Sequence, residues 1–337
     1  MFLLEEPVIS DEEDNSKRRS GMRYKELGNT GEKVSAVALG TWALGNDAWG
    51  SVQDEESIRT IRKAMDLGIN LIDTAPAYGV GHSEEVVGKA IEGRRHDVLV
   101  STKCGTVKKD GVRSRNLKPE AIRQELEDSL RRLNTDYIDI YLLHWPDPNT
   151  PLEDTIEEIV KLKKTGKFRY FGVSNFDVDA LERISKITPV DCFQPHYSLL
   201  SRNRMAEIEY CHQHGIGVTS YGSLAGGILT GKFREKPVFS PGDNRSSFYP
   251  FFEEPLWSKS VELISALQKI ADDYGKPLSQ LALNFASQNE MITSTLVGAK
   301  TPAQVSENAA SCDWMLSPED MVRIEGLYQK IFTGTVR

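Results

Sequence analysis

Eight times along this chain a short apolar run is followed by an amphipathic stretch of helical period, and that alternation limits the fold more than any other feature. The apolar runs are Val37–Leu39, Ile69–Asp73, Val98–Lys103, Ile138–His144, Phe168–Val173, Cys192–Gln194, Gly217–Tyr221 and Thr293–Val297. Such a rhythm means parallel strands joined by helical crossovers. Between the strands, Asp54 and Ser83 are placed to cap helices, while Pro119, Pro302 and Pro318 each open one. Eight units in one α/β chain predict a closed (β/α)8 TIM barrel, with an N-terminal β-hairpin over Tyr24–Ser35 and an extra C-terminal helix after Pro318. Residues 1–22 are expected to form a flexible arm, and residues 23–337 a single barrel domain. An open doubly wound sheet is the competing architecture, but its GxGxxG fingerprint is missing: after Gly79 and Gly81 the third glycine position is Glu84.

Charge and cysteine usage narrow the function. The 337 residues carry 41 Lys+Arg against 49 Asp+Glu, a net charge of −8, which argues against nucleic acid as a partner. No apolar run is long enough to span a membrane, so no membrane partner is expected. Cys104, Cys192, Cys211 and Cys312 are scattered without a CxxC pair, the usage of reduced thiols in a cytoplasm. Cys211, His212 and His214 form a short cluster, yet no second cluster completes a tetrahedral set, so no metal is expected.

In a barrel of this kind the chemistry sits at the C-terminal strand ends. Those ends carry Asp73, Lys103, His144, Ser174-Asn175, Gln194, Tyr221 and Gly298, with Tyr78 in the loop after Asp73. One mouth gathering these residues explains why an apolar strand stops on a carboxylate. A phenol ionises near ~10, too high for easy proton donation at neutral pH. An ammonium beside it stabilises the phenolate. Lys103 supplies that cation, Asp73 holds it charged, and Tyr78 becomes a tuned general acid. His144 is placed to bond and orient a substrate oxygen.

At this point the chain resembles a known family, the aldo-keto reductases. The motifs are LGTW (Leu39 to Trp42), IDTAPAYG (Ile72 to Gly79), STKCG (Ser101 to Gly105), LLHWPD (Leu142 to Asp147), GVSNF (Gly172 to Phe176) and GAKTPAQVSEN (Gly298 to Asn308). They are most similar to a bacterial branch linked to inositol and sugar metabolism. The resemblance implies an NADP-dependent oxidoreductase that moves hydride reversibly between NADP(H) and an aldehyde, ketone, alcohol or sugar-like substrate, without metal. Asp73, Tyr78, Lys103 and His144 form its catalytic tetrad.

The same resemblance implies the cofactor contacts. Thr41, Trp42 and Asp73 lie by the nicotinamide, Ser174, Asn175 and Gln194 suit its carboxamide, and Tyr221 stacks on its ring. Gly222, Leu224, Gly226 and Lys232 belong to a small-residue loop for the pyrophosphate; Phe233 stands where a phosphate-loop ATPase needs Ser or Thr. Arg245 clamps the cofactor. Gly298, Lys300 and Gln304 face the 2′-phosphate at the start of a helix, and Glu307 and Asn308 face the adenine. Lysine rather than arginine at 300 leaves NAD(H) use open. Trp42, Trp49, Tyr78, His144 and Trp145 are expected to wall the substrate, with the aromatic loop from Phe239 to Trp257 as a lid.

Two rival readings stand beside this one. A slow NADPH-binding redox sensor or regulatory subunit would keep the same residues. A hydrolase on the same barrel would use a carboxylate pair such as Asp73 and Glu84.

Overall fold

The computed structural model describes residues 21–47, 49–109, 112–240 and 242–332. Strands β1 (Tyr24–Glu26) and β2 (Lys33–Ser35) make the antiparallel N-terminal hairpin. The barrel follows: β3 (Val37–Gly40), α1 (Asp54–Asp66), β4 (Leu71–Asp73), α2 (His82–Ile91) and β5 (Leu99–Cys104). A second antiparallel hairpin then intervenes, β6 (Thr106–Lys109) and β7 (Val112–Arg115). The rhythm resumes with α3 (Pro119–Leu133), β8 (Ile138–Leu143), α4 (Leu152–Lys163), β9 (Phe168–Ser174), α5 (Val178–Ser185), β10 (Cys192–Gln194), α6 (Met205–Gln213) and β11 (Gly217–Ser220). After a long excursion containing α7 (Arg245–Phe248) come α8 (Leu256–Asp273), α9 (Leu278–Gln288), β12 (Ser294–Gly298), α10 (Pro302–Ala309) and α11 (Pro318–Phe332).

Strands β3, β4, β5, β8, β9, β10, β11 and β12 pair in that order, all parallel, and β12 closes on β3. This is the predicted eight-stranded barrel with its N-terminal hairpin and additional C-terminal helix. One core fills the space between barrel and helices α1 to α6; Ile61 and Met65 of α1 and Ile122, Leu126, Leu130 and Leu133 of α3 face it at helical spacing. A second core lies under α8, α9 and α11, where Phe251 and Phe252 of the excursion and Trp257 of α8 are buried. Among the described residues no helix is long and apolar enough to cross a membrane.

Several local expectations need correction. The expected arm at 1–22 lies outside the described residues except for its last two, and these belong to the fold: Gly21 N donates to Asp313 Oδ1 at 3.0 Å and Met22 is buried in the core. Asp54 is the first residue of α1, not its cap, and its carboxylate meets His82 Nε2 at 2.9 Å. Ser83 sits inside α2, where its hydroxyl bonds Thr41 and Thr74. Both residues therefore tie neighbouring barrel units together. Cys211 is buried while His214 turns its Nδ1 to the Tyr210 carbonyl, so the cluster does not converge.

The hairpin β6–β7 is anchored at its base. Asn116 N donates to Gly105 O at 3.2 Å, and Leu117 N donates to Asp147 Oδ2 at 3.0 Å. Gly105 N, directly after β5, donates to Glu125 Oε2 of α3 at 3.1 Å, while Glu125 Oε1 is buried with no partner among the described residues. Burial pushes this carboxyl up to about 7, partly opposed by the Gly105 N–H. In the unfolded chain it would titrate near ~4.3. Across that window the unfolded state sheds its proton first, so the contribution of Glu125 to stability falls as pH rises through it and is level above it. Urea unfolding across this range should show wild-type stability falling relative to that of Glu125→Gln as pH rises, the gap changing by about 2–3 kcal/mol from the lower to the upper end.

Candidate active site

Asp73 and Lys103 form an ion pair inside the barrel mouth. They end or nearly end the adjacent strands β4 and β5, whose register sets Asp73 opposite Ser101. Lys103 is fully buried, and its Nζ donates to both Asp73 oxygens and to Thr74 O, each at 2.8 Å. Burial pulls the Lys103 ammonium below its ordinary value, and the Asp73 carboxylate opposes that by holding the charge. The pair is held from behind. Thr41 Oγ1 donates to the Asp73 carbonyl at 2.9 Å, and Gln194 Nε2 donates to Asp73 Oδ1 at 2.9 Å.

The loop after β4 brings Tyr78 over this pair. Lys103 Nζ lies 5.1 Å from the centre of the Tyr78 ring. On its other sides that ring has the Trp42 ring at 6.0 Å, nearly parallel, and the His144 ring edge-on at 6.1 Å. The loop can come this close because Gly79, at φ 65°, sits backbone to backbone on the turn ending at Gly45; a Cβ there would overlap the Gly45 carbonyl oxygen. Glycine at 79 is therefore what lets the residue before it reach the mouth.

A polar network continues round the barrel. Asn175 takes the left-handed conformation, φ 67°, immediately after β9. Its Nδ2 donates to His144 O at 3.0 Å and to Ser174 Oγ at 2.9 Å, and its Oδ1 accepts from Tyr221 OH at 2.8 Å. Ser174 Oγ in turn donates to Gln194 O at 2.8 Å. The Tyr221 ring stacks at 5.1 Å on His196, whose imidazole is pulled down to about 4 by burial and by Arg204 and is therefore neutral.

Two cavities meet along this wall. The smaller, about 280 Å³, is lined by Tyr78, His144, Trp145, Ser174, Asn175 and Gln194, together with Phe248 of α7. The larger, about 550 Å³, runs outward over β11 and β12. Trp42, Tyr78 and Tyr221 line both. The outer end of the larger cleft holds Lys232, Arg245 and Lys300, beside Gly298, Gln304, Glu307 and Asn308. Burial and then the Arg245 charge lower both lysines. The Arg245 guanidinium bonds Asp243 at 2.6 Å and lies 5.4 Å over the Trp49 ring. Lys300 Nζ donates to the Trp49 carbonyl, and its own N–H donates to Gln304 Oε1 at 2.8 Å. Gly222, Leu224 and Gly226 form the floor, and Gly226, at φ 68°, would push a Cβ to 2.8 Å from the Tyr249 ring.

Sequence reasoning and structure part company at a few positions. Thr41 is fully buried and lines neither cavity, because its hydroxyl is spent on the Asp73 backbone. Trp49 lines the larger cleft, not the smaller one in which a substrate wall was expected. Of the aromatic loop, Phe248 and Tyr249 face the cavities, while Phe251, Phe252 and Trp257 pack into the second core. Glu84 is turned away altogether: it is fully buried, with Thr102 Oγ1 at 2.6 Å and Arg132 Nε at 2.6 Å, so it makes no carboxylate pair across a cavity with Asp73. Thr106, Ser114 and Arg115 were missed, although Asp110-Gly111 between two short runs is a hairpin signal.

Comparison with known proteins agrees with this architecture. The sequence profile of the Aldo/keto reductase family matches residues 36–329. The chain is 38% identical over 316 residues to the NADH-specific methylglyoxal reductase of Escherichia coli, covering 89% of this chain and 96% of that one. It superposes on the glycerol dehydrogenase AKR11B4 from Gluconobacter oxydans with a TM-score of 0.85 at 35% identity, over 93% of this chain and 97% of that one. It is also similar to an aldo/keto reductase from Klebsiella pneumoniae solved in complex with NADP and acetate, with a TM-score of 0.70 at 30% identity, over 89% and 94% of the two chains. The match over most of its length, on a closed eight-stranded barrel, makes this chain a member of the aldo/keto reductase family, whose members are NAD(P)-dependent oxidoreductases.

Proposed function

We propose that this protein reduces a small aldehyde or ketone with NADPH, reversibly, using Tyr78 as the proton donor. The observation that carries the reading is the position of Tyr78 on the wall common to both cavities, with the buried Lys103–Asp73 pair beneath its ring. The larger cleft fits a phosphorylated dinucleotide. Its outer end is cationic and its inner end aromatic, and the buried Trp42 Nε1 and Trp49 Nε1 have no partner among the described residues. When bound, NADPH supplies a hydride to the carbonyl carbon and leaves as NADP+.

This chain's own residues do the rest. The Tyr78 hydroxyl gives its proton to the carbonyl oxygen, so that the carbonyl gains a hydride and a proton and becomes an alcohol. The Lys103 ammonium stabilises the phenolate left behind, and Asp73 keeps that ammonium in place. His144, edge-on to the Tyr78 ring, orients the oxygen. Ser174, Asn175 and Gln194 offer both donors and acceptors for a carboxamide, and Tyr221 offers a ring face. Gly222, Leu224, Gly226, Lys232 and Arg245 would hold the pyrophosphate, Gly298, Lys300 and Gln304 the 2′-phosphate, and Glu307 and Asn308 the adenine.

Two measurements test this. Absorbance assays of NADPH oxidation over a panel of small aldehydes should give turnover, and Tyr78→Phe should lower kcat by about 10²–10⁴-fold while leaving the NADPH dissociation constant nearly unchanged. Tight NADPH binding with no turnover over the whole panel would favour the slow redox sensor instead. Fluorescence titration of Lys300→Ala should show NADPH binding weakened by about tenfold and NADH binding little changed. An equal effect on both would remove Lys300 from the 2′-phosphate site.

A further inference from the structure

The hairpin β6–β7 interrupts the barrel rhythm directly after β5 and brings Thr106, Ser114 and Arg115 to the smaller cavity. Its sequence departs from the rest of the chain. Between Thr106 and Lys118 stand five basic residues and one acidic one, in a protein of net charge −8.

Among the described residues lining the smaller cavity, Arg115 is the one that carries a fixed charge, and none is a carboxylate. The guanidinium is set by two contacts: it lies 5.0 Å over the Trp145 ring, and Nη1 donates to the Pro146 carbonyl at 3.3 Å. These hold the group at the rim without neutralising it. The nearby Asp147 does not neutralise it either, since its carboxylate is taken by Leu117 N, Asn149 N and Thr150 Oγ1. Beside it Thr106 Oγ1 is buried with no partner among the described residues. A planar fork of donors next to an uncommitted hydroxyl is the chemistry that receives a carboxylate or phosphate.

We propose that the carbonyl substrate carries an anionic group, carboxylate or phosphate, which Arg115 and Thr106 receive while the carbonyl lies between Tyr78 and His144. This rests on the reductase reading given above and adds the substrate class. Arg115 then acts as a specificity-determining residue: it anchors the far end of the substrate and takes no part in proton or hydride transfer.

The test compares charged and neutral partners of similar size. Succinic semialdehyde is assayed against its methyl ester, and glyceraldehyde phosphate against glyceraldehyde, each with NADPH. In the wild type kcat/KM should favour the charged member of at least one pair by about tenfold or more. Which pair responds separates carboxylate from phosphate. Arg115→Gln should collapse that ratio about tenfold, mainly through KM, Arg115→Lys should restore part of it, and added salt should erode it in the wild type. Equal kcat/KM within both pairs, or a ratio untouched by Arg115→Gln, would overturn the proposal while leaving the reductase reading intact. Absence of turnover with the neutral and charged compounds alike would instead overturn that reading, and this inference with it.

Discussion

The mouth of this barrel is organised around one buried ion pair. Lys103, with no exposed surface, is tolerable only because Asp73 takes its ammonium with both oxygens and Thr74 O completes the set. Removing either partner of such a pair typically costs about 3–5 kcal/mol, because the survivor is left charged and dry. The neighbouring groups are arranged to prevent that. Thr41 holds the Asp73 backbone, Gln194 bonds its carboxylate, and Ser83 of α2 ties Thr41 and Thr74 together. Residues from three strand ends and a helix are thus committed to keeping a single positive charge beneath a phenol.

Parallel pairing explains why those residues can meet. Adjacent strands in register deliver their last side chains to one rim, and the closing pair β12–β3 brings Gly298 beside Gly40. Chain segments far apart in sequence, around residues 40, 73, 103, 144, 175, 194, 221 and 298, become neighbours without any long loop being needed. The excursions after β5 and after β11 are where the protein adds its own features: a basic hairpin over the smaller cavity, and α7 with Arg245 and Phe248 at either end of it.

Most of the barrel was legible because its signal is periodic. Apolar runs of three to seven residues alternating with helical stripes determine order, pairing and count together, and polar residues at the run ends then mark the mouth. What was not legible depended on packing. Nothing in the local pattern says that Thr41 spends its hydroxyl on Asp73, or that Trp49 belongs to the cleft of Lys300 and not to the smaller cavity. Ser83 and Asp54 look like caps by residue type, yet each finds a better partner on a neighbouring unit. The β6–β7 hairpin was passed over for another reason. Its only local mark is the Asp-Gly dipeptide, since the runs on either side are short, polar and basic and carry no apolar alternation.

Trp42, Tyr78 and Tyr221 each present surface to both cavities, and Asn175 links Tyr221 to the backbone of His144. A partition shared in this way cannot respond on one side only. If a guest on one side changes how tightly the other side holds its own, linkage requires the second guest to change the first's affinity by the same factor. The two compartments share a wall rather than merely adjoining, so a displacement of the Trp42 or Tyr221 ring reshapes both at once.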